Sequence, residues 1–93
     1  MTAISIIEQE FAAVSLERAK KEYPKFEQYW ERGLSWVLAR KPEIGINVPN
    51  TKPPRYVWGV NPWKLGGIPR MVIVYTYDGP TEPIVLERIT FYE

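Results

Sequence analysis

Arg55 and Lys64 flank Trp58 and Trp63, and this interleaving of cations with rings is the pattern in the chain that most directly suggests a ligand. Cationic side chains contact phosphates and aromatic rings stack on bases, so such a segment can grip single-stranded RNA. The same residues also fit a structural role, in which the rings cover a sheet and the basic side chains lay their stems along it. Other chemistries are closed by residue type. The chain has no Cys and no His, which excludes thiolate nucleophiles, Ser-His-Asp triads and zinc sites built on those ligands. Lys64-Leu65-Gly66-Gly67 lacks the Gly-to-Lys spacing of a phosphate loop. No two carboxylates have a spacing that suggests glycosidase chemistry, and Glu8 and Glu10 read as charges at the end of a strand or helix. No metal and no cofactor is expected.

Twelve Lys and Arg stand against eleven Asp and Glu, for a net charge of +1. The pI near 7.9 is below the value of about 9 that marks a nucleic-acid-binding domain by charge alone, which leaves room only for a local basic patch. The 93 residues suffice for one domain with a small core. Four Trp and six Tyr supply large rings to fill it. The N-terminus lacks the basic and apolar regions of a signal peptide, and no apolar run approaches the ~20 residues that span a bilayer. A cytoplasmic location without membrane contact is expected.

The C-terminal third carries the clearest structural signal. Residues 71–77 and 84–91 are apolar and β-branched, and they flank the breaker Asp78-Gly79-Pro80-Thr81-Glu82-Pro83. This predicts an antiparallel hairpin. Residues 55–60 read as a further strand, with Pro53 and Pro54 limiting pairing at its start. Residues 3–7 read as a short first strand. Between them, Ala12, Leu16, Ala19, Tyr23, Phe26, Trp30, Gly33 and Val37 recur at steps of four and three, the spacing of one helical stripe. Glu17 and Lys21 have the spacing of a favourable ion pair on the opposite side. Pro24 breaks the stripe, so one helix should end near Glu22 and a second start at Pro24 or Lys25. Lys41-Pro42 ends the second helix, and residues 43–54 form a long loop rich in Pro, Asn and Gly. The expected architecture is α+β in the order β-α-α-β-β-β, a helical hairpin packed on a small antiparallel sheet.

This order, together with the turn Pro42-Glu43-Ile44-Gly45, the strand Arg70-Met71-Val72-Ile73-Val74-Tyr75 and the ending Leu86-Glu87-Arg88-Ile89-Thr90-Phe91-Tyr92, resembles the RelE/ParE superfamily of type II toxin–antitoxin toxins, which includes plasmid stabilisation proteins. The resemblance spans nearly the whole chain. It implies a cytoplasmic toxin whose partner is a cognate antitoxin. The cellular target implied is either messenger RNA on the ribosome, cleaved without a metal, or gyrase. On the nuclease reading Arg70 matches a phosphate-binding Arg, Arg88 a second cation, and Tyr92 the acid or base near the terminus. A phenol ordinarily ionises near pH ~10, so base work by Tyr92 asks for a cationic neighbour such as Arg70 or Arg88. The structural alternatives are plain: Arg70 a strand-end charge or a partner of Glu82 or Glu87, Arg88 an edge charge, Tyr92 a ring over the sheet end. The 56–60 segment, Tyr-Val-Trp-Gly-Val, lacks the paired cations of the nuclease branch. A non-catalytic protein- or RNA-binding module on the same fold therefore stands beside the toxin reading, with Trp30, Trp36, Trp58 or Trp63 as interface rings if exposed.

Overall fold

The computed structural model describes residues 3–93. The chain is a small α+β domain with elements β1 (Ile6–Glu8), α1 (Glu10–Glu22), α2 (residues 26–40), β2 (Ile46–Val48), β3 (Arg55–Val60), β4 (Arg70–Thr76) and β5 (Ile84–Tyr92). The strands form one sheet in the order β1-β5-β4-β3-β2. The expected all-antiparallel sheet is in fact mixed. Neighbours from β2 to β5 are antiparallel, whereas β1 runs parallel to β5. The chain reverses between the helices and again at each turn before β3, β4 and β5. That even number of reversals brings β5 back in the direction of β1.

Two further expectations need correction. The first strand begins later than residues 3–7, because only Ile6–Glu8 finds a ladder on β5. The loop of residues 43–54 contains β2, a three-residue edge strand against Val57, Tyr56 and Arg55, so the order is β-α-α-β-β-β-β. The Lys52–Pro53 peptide bond in this loop is cis.

The helical break falls where Pro24 places it. α1 ends at Glu22, and the Tyr23 N–H closes it on the Ala19 carbonyl at 2.8 Å. α2 starts at Phe26 and is not uniform: a π-helical turn, Trp30–Leu34, joins the α-helical pieces Phe26–Tyr29 and Ser35–Arg40. The wider turn takes up an extra residue. Beyond Trp30 the buried face therefore carries Leu34 and Leu38, and the expected Gly33 and Val37 are only half-buried. On α1 the exposed face pairs Glu17 with Lys20 at 3.5 Å, and not with Lys21.

Leu16 and Phe26, with Trp30, pack into one buried cluster with Met71, Ile73, Tyr75, Leu86 and Ile89. Each such large apolar side chain contributes roughly 1.5–3 kcal/mol by leaving water. Both helices thus cover one face of the sheet. Cross-strand register assigns the opposite face to Val57, Val72, Val74 and Val85, together with Arg55, Arg70 and Tyr92, and among the described residues no helix lies against it.

Candidate functional site

Arg70 opens β4 and Tyr92 ends β5, and the register sets them directly opposite each other. The Arg70 Cζ lies 5.7 Å from the centroid of the Tyr92 ring, within the roughly 6 Å at which a cation is drawn to a ring face. Both side chains are exposed. On the other side of Arg70, its Nη2 comes 4.0 Å from where a Cβ on Gly59 would stand. The guanidinium is therefore held between β3 and β5, with donors open to solvent on the uncovered face. A phosphate placed there would find a planar cation and a phenol side by side, groups of the types that can stabilise charge and transfer a proton at phosphorus.

Arg88 stands apart from this pair. It pairs in register with Val74, four residues from Tyr92 along β5, or about 13 Å. Arg88 does not share a face with Leu86, as simple alternation along a strand would have it, because the register slips between Val74 and Tyr75. Glu87 is the residue left without a cross-strand partner, and this bulge puts Leu86 over the core and Arg88 on the opposite face. The Arg88 Cζ then lies 5.6 Å from the Phe11 ring of α1, at the free side of β5.

Arg55 is engaged. Its Nε and Nη2 donate to the two carboxylate oxygens of Glu87 at 2.6 and 3.2 Å. This hydrogen-bonded carboxylate raises the Arg55 pKa and holds it cationic. The bulge lets Glu87 reach across β4 to β3. Glu87 is consequently the partner of Arg55, and not of Arg70. The aromatic residues expected beside Arg55 face the other way. Trp58 pairs with Ile73 on the helix-covered side, and Trp63 stacks on Tyr29 with ring centroids 4.9 Å apart. Both are half-buried and packed against the core. Lys64 is exposed in the 3₁₀ turn Lys64–Gly66. The structure thus does not gather Arg55, Trp58, Trp63 and Lys64 on one surface. Trp30 is buried, whereas Trp36 is 53% exposed and carries the Arg40 guanidinium 4.0 Å above its ring.

Two contacts near the site are not legible in the sequence, the pairing of Glu87 with Arg55 and the role of Tyr75. Glu87 clamps Arg55, and only the bulge makes that reach possible. Tyr75 is fully buried, donates its hydroxyl proton to the Pro42 carbonyl at 2.7 Å and accepts the Gly45 N–H at 3.0 Å. The sequence signal for it was the turn Pro42-Glu43-Ile44-Gly45 itself, which needs an anchor. A Cβ at Gly45 would meet the Tyr75 hydroxyl and the Val57 carbonyl oxygen at 3.0 Å each, so this turn takes glycine to come so close to the sheet.

Among the described residues no cluster of acidic side chains is placed to hold a metal ion, and no helix is long and apolar enough to cross a membrane. Comparison with known family models and with curated proteins gives no match to this chain.

Proposed function

We propose that this chain is the toxin-like component of a type II toxin–antitoxin pair, and that it acts as a metal-independent endoribonuclease on ribosome-bound messenger RNA. The observation that supports this reading is the Arg70–Tyr92 pair on the uncovered face of the sheet. In the proposed reaction the ribose 2′-oxygen bonds to the adjacent phosphorus and the bond to the 5′-oxygen breaks. The 2′-hydroxyl proton leaves to a base, the departing 5′-oxygen gains a proton, and the products are a 2′,3′-cyclic phosphate and a 5′-hydroxyl end. Arg70 binds the phosphate oxygens and stabilises the charge that builds on them. Tyr92 is the proton-transfer group. The partner is a cognate antitoxin that silences the chain.

Controlled expression of the chain alone tests this. Growth should arrest, Arg70→Ala should relieve the arrest, and the purified chain should cleave messenger RNA in a ribosome-dependent way that Tyr92→Phe slows. Harmless expression with no partner co-purifying ends the toxin reading.

A second reading has its own support. The uncovered face is lined by valines, β3 adds no free cation to it, and Arg55 is ion-paired with Glu87. Such a face suits a protein partner, whether as a non-catalytic binding module or as an inhibitor of gyrase through protein contacts. Growth arrest without RNA cleavage would favour it.

A further inference from the structure

We infer that the free side of β5 pairs antiparallel with the same edge of a second copy of this chain, about a two-fold axis through Thr90, and that each copy's Arg88 thereby joins the Arg70–Tyr92 pair of the other. This self-pairing stands independently of the toxin reading.

The edge is open. β1 stops at Glu8, opposite Leu86, and the last bond on that side runs from the Gln9 N–H to the Leu86 carbonyl at 2.9 Å. Beyond it, no described backbone group bonds to the outer side of Arg88–Tyr92. This stretch is rich in β-formers and lacks Pro and Lys, and the one charge on it before the final residue, Arg88, lies against Phe11 at the groove rather than in water alone. It forms one wall of a groove whose other wall is α1, with Phe11, Val14, Ser15 and Arg18 facing the strand. Phe11 is 71% and Val14 53% exposed. Large apolar side chains left in water beside an unpaired strand mark a surface that a partner covers.

The partner that fits is the chain itself. α1 runs alongside the open edge with their ends in step: Phe11 lies by Arg88 at one end, and Tyr23 lies by Phe91 and donates to Glu93 at 2.6 Å at the other. One axis therefore passes the middle of both elements. Rotation about it sets the two α1 helices antiparallel. The first turn, with Glu10, then approaches the last turn of the other copy, with Lys20 and Lys21, and Phe11 and Val14 of each helix meet the far half of its mate. On the strands, alternation after the bulge leaves the outward backbone groups on Ile89 and Phe91. An axis at Thr90 makes each Ile89 exchange both bonds with the other copy's Phe91. It also sets Arg88 directly across from the other copy's Tyr92, on the uncovered face. Arg70 and Arg88 then flank each Tyr92 from two sides. An isologous contact of this kind closes as a dimer and leaves no further edge on β5.

The chain has no Cys, so a single cysteine reports the contact cleanly. At a two-fold on Thr90 the facing Cα atoms stand about 4.5 Å apart, within disulfide reach. Oxidised Thr90→Cys should run as a covalent dimer, whereas Thr81→Cys in the exposed turn before β5 should not. By sedimentation, the wild type should weigh twice 10.9 kDa at micromolar to millimolar concentration. Phe11→Arg/Val14→Glu should weigh half of that and still melt in one cooperative transition, at a temperature that, unlike the wild type's, does not change with protein concentration. A wild type that stays monomeric throughout overturns the inference and leaves the edge to a segment of another protein. Thr90→Cys that links no faster than Thr81→Cys overturns it too, as does a dimer that survives Phe11→Arg/Val14→Glu.

Discussion

One phenol ties the chain that leaves α2 to the middle of the sheet. Tyr75 closes the turn after Lys41 by bonding the Pro42 carbonyl and the Gly45 N–H. Burial pushes its pKa from the ordinary 10.0 up to about 12, against a smaller opposing pull from the Gly45 N–H. Tyr23 also rises to about 12, first through burial and then through its bond to Glu93. Both groups hold their proton more tightly folded than unfolded. Their contribution to stability is therefore whole below pH ~10 and is lost as pH climbs toward 12. The melting temperature should fall across that window, and Tyr75→Phe should flatten the fall. At neutral pH the same substitution leaves a carbonyl and an N–H without their partner, at a cost of about 1–3 kcal/mol in urea unfolding. A Tyr75→Phe variant as stable as wild type would mean that the turn holds without the pin. The sequence marked Tyr75 as the end of an apolar run, but nothing local to it says that its hydroxyl meets a turn thirty residues earlier. The hairpin read from its breaker residues brings the ends of the two strands together, but an unbroken register would set Arg70 opposite Phe91, and only the bulge at Glu87 turns Tyr92 to face it.

The elements show the same division between local signals and tertiary ones. Pro24 and Lys41-Pro42 end helices by removing donors and clashing with the turn before them, so those boundaries are written locally. β3 is a run of β-formers between prolines and an Asn-Pro turn, and it spans the expected residues 55–60. β2 carries no such signal. It is three residues long, and it is a strand only because β3 offers it a ladder. The bulge at Glu87 is equally hidden, since Leu86, Arg88 and Thr90 alternate as an unbroken strand would. The π-turn in α2 arises from packing: it moves Leu34 and Leu38 onto the core where an ideal helix would have brought Gly33 and Val37. Gly33 has no visible need of its flexibility there. A Cβ at that position would find the Tyr29 ring at 3.8 Å, an ordinary contact. Gly33→Ala should accordingly raise stability by about 0.5–1 kcal/mol, the usual gain on replacing glycine inside a helix. A thermal melt decides it, and a loss on Gly33→Ala would show that the π-turn depends on glycine.

At the scale of the molecule the governing fact is that helices cover only one side of the sheet. The uncovered side holds valines in its middle and arginines around them, of which Arg55 is held by Glu87 while Arg70 and Arg88 lie over aromatic rings. If RNA lies across this face, Arg55 is a cation that the chain keeps in reserve, and its release has a measurable consequence. Glu87→Gln removes the charge that clamps it and leaves the bulge in place. RNA should then bind a few-fold more tightly at low salt, and the slope of log affinity against log salt should steepen by about 0.7, the value for one added phosphate contact on a single strand. Arg55→Ala in the wild-type background should instead weaken binding, because it strips Glu87 of its partner and leaves an uncompensated carboxylate on the same face. If Glu87→Gln leaves both affinity and slope where they were, RNA does not lie along β3. The valine-lined centre of the face is then free to be what its composition suits best, a seat for a protein partner.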